Sequence, residues 1–76
     1  MTEVEWIDIF ANNLRDILKD RKMSQKELAN EIWISEATIS RYINKQRMPS
    51  IKHILEISYV LNVDVNELID FGEPIR

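Results

Sequence analysis

Cysteine is missing from this chain of 76 residues, and histidine and glycine each occur once. The first absence removes any disulfide framework, and one histidine without cysteine cannot complete a His/Cys zinc set. The core must therefore hold by packing alone. Long apolar runs are missing too: none approaches the ~20 residues of a membrane span, and the N-terminus has neither the basic nor the apolar region of a signal peptide. A soluble, cytoplasmic protein with no membrane partner is expected. Strand-length alternation, long repeats and low-complexity tracts are also absent. A chain of this length suffices for one small domain, which buries only about 60% of the surface exposed by its unfolded form. A single domain over residues 1–76 is expected.

Basic charge is in deficit, with 10 Lys and Arg against 13 Asp and Glu and a net charge of −3. As a sum this argues against a nucleic-acid partner, but distribution matters more. Residues 1–20 carry two basic and five acidic side chains, and residues 54–76 carry one and five. Residues 21–53, by contrast, hold seven basic against three acidic, and within them residues 37–53 contain Arg41, Lys45, Arg47 and Lys52 with no acid. The pattern fits one basic face on an acidic body, although an unevenly charged solvated surface would look the same.

What the chain does have is one local device used four times: an apolar residue, a cap, and an apolar residue four positions after the cap. The units are Met23-Ser24-Leu28, Ile34-Ser35-Ile39, Pro49-Ser50-Ile54 and Val63-Asp64-Leu68. A cap oxygen takes up an orphan N–H while the apolar pair fixes the approach of the chain, so each unit marks a helix start. Ser24 with Glu27 and Asp64 with Glu67 have the spacing of full capping boxes.

Thr2 with Glu5 can cap a first helix, in which Trp6, Ile9, Phe10, Leu14, Ile17 and Leu18 recur at three-to-four spacing as a core stripe. Asp8, Asp16, Lys19 and Asp20 fall on its outer side, and it ends near Arg21. A second helix runs from the Ser24 cap to about Ile32 with Leu28, Ala29 and Ile32 inward. A third runs from Glu36 to about Asn44 with Ile39 and Ile43 inward. A fourth follows Pro49 and carries Ile51, Ile54, Leu55, Ser58 and Leu61 on one side, with Asn62 suited to a left-handed end. A fifth runs from Val65 to about Asp70 and supplies Leu68 and Ile69. Residues 71–76, with Gly72 and Pro74, read as an irregular tail. The predicted fold class is all-α with five helices.

Between Ser24 and about Ile43 there is room for a short helix, a turn of about three residues and another helix, which is helix-turn-helix spacing. Such a pair serves mostly to lay its second helix in a DNA groove. Residues 24–50, SQKELANEIWISEATISRYINKQRMPS, resemble the phage repressor and Cro-like, or XRE, family of helix-turn-helix regulators. The SQ..LA hallmark, an apolar residue before Ser35, the inward Ile39 and an N..R.PS exit are all present. The resemblance is tight over about a third of the chain and looser for helices one, four and five. It implies a compact five-helix lambda-repressor-like DNA-binding domain with the helix-turn-helix at helices 2 and 3. The implied function is a sequence-specific transcriptional regulator of phage or bacterial repressor type, with double-stranded DNA as partner.

By the same resemblance the third helix enters the major groove with Glu36, Ala37, Thr38, Ser40 and Arg41 toward base edges. Arg41 can fork onto guanine O6 and N7, Ala37 or Thr38 can meet a thymine methyl, and Glu36 can accept from cytosine N4. Glu36 also suits the first helical turn as a plain dipole stabiliser. Gln25, Asn44, Lys45 and Arg47 would hold phosphates, which positions the protein without specifying sequence. Tyr42 is expected in the core and His53 on the surface.

Two residues depart from the family pattern: Trp33 in the turn and Lys45 at the exit stand where glycine is common. A non-glycine residue at positive φ carries roughly 1 kcal/mol of strain or more. Trp33 is expected to pack over the first helix, with contact to another chain as the other reading. One recognition helix reads few base pairs, so a homodimer on a palindromic operator is expected, its half-sites about 34 Å apart. Leu68, Ile69, Phe71 and Ile75, with Trp6 or Ile7, are the candidate dimer contacts. The alternative is an antitoxin-like or anti-repressor module that turns the same fold on a protein, in keeping with net acidity, Glu36 and Trp33. Catalysis is not expected, because His53 stands alone and the acids are dispersed. No cofactor, metal or small-molecule substrate is called for.

Overall fold

Helix starts follow the caps. The computed structural model describes residues 3–69 and contains α1 (Glu3–Arg21), α2 (Gln25–Glu31), α3 (Glu36–Ile43), α4 (Ile51–Leu61) and α5 (Val65–Leu68), with no strand among the described residues. Ser24 Oγ accepts from the Glu27 N–H at 3.0 Å while Glu27 Oε1 accepts from the Ser24 N–H at 3.1 Å, a complete capping box. Ser35 and Ser50 accept from the N–H groups of Thr38 and His53, both at 3.2 Å. Asp64 has the extended backbone of a cap but makes no side-chain cap bond, so the box expected there does not form. In this single-turn helix the Glu67 N–H instead donates to the Asp64 carbonyl at 2.9 Å. α5 ends at Leu68 with Ile69 as its C-cap, short of the end expected near Asp70. The expected cap at Thr2 and the tail 71–76 lie outside the described residues.

Helix ends follow one rule as well. Lys22, Trp33, Lys45 and Asn62 stand after α1, α2, α3 and α4 with φ of 56, 62, 63 and 54°. In each case the next residue's N–H reaches back five positions: Met23 to Leu18, Ile34 to Ala29, Gln46 to Arg41 and Val63 to Ser58, at 2.8–3.1 Å. The left-handed residue itself donates to Lys19, Asn30, Tyr42 or Tyr59. These paired bonds are the Schellman ending, and they satisfy carbonyls that have no helical partner. Met23, Ile34 and Val63 are partly buried against the core. Each closes one helix and, standing just before the next cap, guides the following one. That double duty makes three of the four turns only three or four residues long. Residues 44–50, between α3 and α4, form the longer exception.

One cluster joins all five helices: Phe10, Leu14 and Leu18 from α1; Leu28 and Ala29 from α2, with Ile32 just after it; Ile39, Tyr42 and Ile43 from α3; Ile54, Ile57 and Leu61 from α4; and Leu68 from α5. Trp6 stacks on Phe10 with ring centroids 5.7 Å apart, and Phe10 meets Tyr42 edge-on at 6.3 Å. The inner stripe of α4 is Ile54, Ile57, Ser58 and Leu61, an i, i+3, i+4, i+7 set. Ile57 therefore takes the place expected for Ile51 and Leu55, which face solvent.

α1 also closes the other helices with polar side chains. Asn13 Nδ2 donates to the Leu68 carbonyl at 2.9 Å, Arg15 to the Ile43 carbonyl at 3.4 Å, and Arg21 Nε to the Leu61 carbonyl at 3.1 Å. Basic groups at these ends meet both unpaired carbonyls and the negative pole of the helix.

Candidate nucleic-acid interface

α3 divides cleanly by face. Ile39, Tyr42 and Ile43 are buried, while Glu36, Ala37 and Arg41 are exposed and Thr38 and Ser40 are partly so. The Thr38 hydroxyl lies 2.8 Å from Ser35 Oγ, and Asn44 Nδ2 donates to Ser40 Oγ at 3.1 Å. These two hydroxyls already have neighbours. Among the described residues neither Glu36 nor Arg41 is engaged in a side-chain hydrogen bond or ion pair. Of the expected base-facing set, then, Glu36, Ala37 and Arg41 stand free toward solvent, and Thr38 and Ser40 lie lower on the flanks.

The positive rim follows α3 at once. Asn44, Lys45 and Arg47 are exposed, and Gln25 is half-buried at the first position of α2. Lys45 Nζ lies 3.4 Å from Asp8 Oδ1, so the Asp8 carboxylate on α1, assigned only to a solvated face by sequence, partly neutralises one rim cation. No local pattern could have shown it, because the pair joins residues 37 apart in the chain.

Beneath this surface the Tyr42 hydroxyl and His53 Nδ1 are hydrogen-bonded at 2.6 Å. His53 is half-buried rather than on the open surface, where the 44–50 loop brings the first turn of α4 within hydrogen-bonding reach of Tyr42 on α3. Tyr42 is buried as expected. Burial pushes its phenol above the ordinary value near 10, with the positive charge of Arg47 acting weakly the other way. The neutral hydroxyl is thus the form that the fold holds, and the bond ties α3 to α4.

Residues 14–68 match the helix-turn-helix family. The chain belongs to that family, in its XRE branch. The uncharacterized HTH-type transcriptional regulator YqaE of Bacillus subtilis (strain 168) is 28% identical over 61 residues, covering 80% of this chain and 53% of the relative. The chain thus spans about half the length of the curated relative it matches. The solution structure of the SOS-response transcriptional repressor LexA from Eubacterium rectale has a TM-score of 0.84 at 22% identity, over 100% of this chain and 82% of that one. This likeness shows the fold, an all-α helix-turn-helix domain of five helices.

Within this helix-turn-helix, α2 and α3 form the motif and Trp33 sits in its turn. Its φ is 62° and it is 93% exposed, so it does not pack over α1. Ile34 occupies the inward place at the turn, and the left-handed backbone of Trp33 sends its indole outward. The dimer contacts expected from sequence are also largely used up. Leu68 and Ile7 are buried, and Trp6 and Ile69 pack against the core. Phe71 and Ile75 lie outside the described residues. Among the described residues no cluster of three or more His, Cys, Asp or Glu could hold a metal, and no helix is long and apolar enough to cross a membrane.

Proposed function

We propose that this chain is a sequence-specific DNA-binding regulator of transcription, of bacterial or phage repressor type, which lays α3 in the major groove and acts as a homodimer on a palindromic operator. Residues 1–76 would form its single DNA-reading domain. The observation that carries this reading is the outer face of α3, where Glu36, Ala37 and Arg41 are exposed beside Lys45 and Arg47. Arg41 supplies two donors suited to guanine, and Ala37 and the Thr38 methyl are apolar partners for thymine. Ser40 stands beside them, and Glu36 is placed to accept from cytosine. Gln25, Asn44, Lys45 and Arg47 grip the phosphates on either side of the groove. The acids elsewhere keep the rest of the body off the DNA.

Selecting binding sites from a pool of random duplexes tests this. A short sequence that reads the same on both strands should be enriched, and its affinity should fall steeply with log salt as counterions are released. A pool without enrichment would sink the proposal. Trp33, 93% exposed, favours a second reading, an antitoxin-like or anti-repressor module that binds a protein. A tight complex with a protein that is insensitive to salt would support that reading instead.

A further inference from the structure

We infer that the outward ridge of α4 is where two copies of this chain meet, which locates the pairing required by the operator reading above and rests on it. Ile51, Leu55 and Tyr59 are 76%, 52% and 86% exposed. At i, i+4 and i+8 they stand one above another on the helix. Single exposed apolar residues are ordinary, but a contiguous strip marks a protein contact. A groove runs along the strip between α2 and α4, walled by Glu31, Ile32, Glu56 and Val60 as well as Leu55 and Tyr59. It continues past Tyr59 to Asp64 and Glu67.

Two properties make this surface complementary to itself. Residues four apart form a ridge that interlocks with an identical ridge at a crossing of about −50°. With a two-fold axis beside Leu55, Ile51 of each copy meets Tyr59 of the other, and both ends of the strip are covered at once. Charge follows the same symmetry. Lys52, the one lysine or arginine of α4, stands at the N-terminal end of the ridge, and Glu31, Asp64 and Glu67 line the groove at the other end. Reversing one helix against its copy brings each Lys52 toward the acids of its partner. Glu56 lines the same groove and adds one more carboxylate to it. The same acids repel a nucleic acid, so this face and α3 take different partners.

Because the chain has no cysteine, a single introduced thiol reports on one position alone. Leu55→Cys, next to the axis, should form an intermolecular disulfide under mild oxidation, and Lys26→Cys, exposed on α2, should not. Leu55→Lys would set two like charges face to face. It should abolish concentration-dependent association in sedimentation equilibrium. It should also weaken binding to the selected palindromic duplex on the order of a hundredfold, with binding to half of that duplex unchanged. Tyr59→Ser, at a residue too exposed to disturb the core, should weaken association in the same direction. Association that survives Leu55→Lys and Tyr59→Ser, or equal crosslinking at positions 26 and 55, overturns the inference. So does wild-type protein that stays monomeric both alone and on the duplex, the result expected if another protein or the chain's own residues past 69 filled the groove. Duplex binding by such a monomer would spare the DNA reading. Crosslinking at position 55 with no duplex bound would spare the face and sink that reading.

Discussion

α3 and α4 each bury one stripe in the same core and show solvent the opposite face, yet the two outer faces share no chemistry. That of α3 carries Glu36, Ala37 and Arg41 and leads into Lys45 and Arg47, whereas that of α4 carries Ile51, Leu55 and Tyr59 beside acids. A polar helix face flanked by cations suits a hydrated, anionic groove, and an apolar ridge suits another protein. Two neighbouring helices in one small domain thus have the means to divide reading from pairing.

The largest way to break this contrast is to remove the floor under both faces. Ile39 is fully buried beneath α3, so Ile39→Ala should cost about 2–5 kcal/mol in a urea melt and reduce DNA binding and self-association together. Loss of one without the other would show that the faces are not set by a common core. Next in size, Arg41→Ala should cost roughly 1–3 kcal/mol on the preferred site and blur one base position while leaving self-association alone. Arg47→Ala should instead weaken all sequences alike and lower the salt slope by about one. Equal losses on preferred and random duplexes for Arg41→Ala would move it from reading to positioning.

Tyr42→Phe removes the bond to His53 that links the two helices and should cost about 1 kcal/mol of stability. The sign with pH follows from burial, which raises the Tyr42 phenol above its ordinary value. Its contribution is complete below pH 10 and is lost as pH climbs through the raised value. The phenylalanine variant should therefore show a shallower loss of stability in alkali. At the edge of the α3 face, Trp33→Gly places the one residue that tolerates φ near 60° without strain. It should raise stability by about 0.5–1 kcal/mol after the added freedom of the unfolded chain is counted, read as a higher Tm. The smallest effect is expected of Asp8→Asn. Releasing Lys45 should strengthen DNA binding by about 0.2–1 kcal/mol at low salt and less as salt rises.

Local features were legible along the chain wherever one short window held all the partners. The caps at Ser24, Ser35 and Ser50, the inward Ile39 and Ile43 of α3 and the left-handed Asn62 are of this kind, whereas the left-handed Trp33 and Lys45 are marked only by the family resemblance, as places where glycine is common. The inner face of α4 was legible only in part: Ile54, Ser58 and Leu61 are inward as expected, but Ile57 takes the place expected for Ile51 and Leu55, because Ile51, Ile54, Leu55, Ile57, Val60 and Leu61 leave apolar residues on nearly every side. Periodicity cannot choose among faces that are all apolar. Asp64 and Glu67 have the spacing of a capping box, yet the Glu67 N–H donates to the Asp64 carbonyl and no side-chain cap bond forms. The candidate reading face was legible through the motif. The pair Lys45 with Asp8, the bond from Tyr42 to His53 and the closures by Asn13, Arg15 and Arg21 join distant segments and left no trace in any window.

Where helices begin and end, and which side of α3 turns inward, was settled by the amino-acid order alone, since capping and helical period act within a turn or two of backbone. Which charges meet, where the indole of Trp33 points and which apolar row of α4 is left for a partner were decided only by packing. Those outcomes depend on which surfaces five helices bring together, and contacts between distant residues are set by the whole fold.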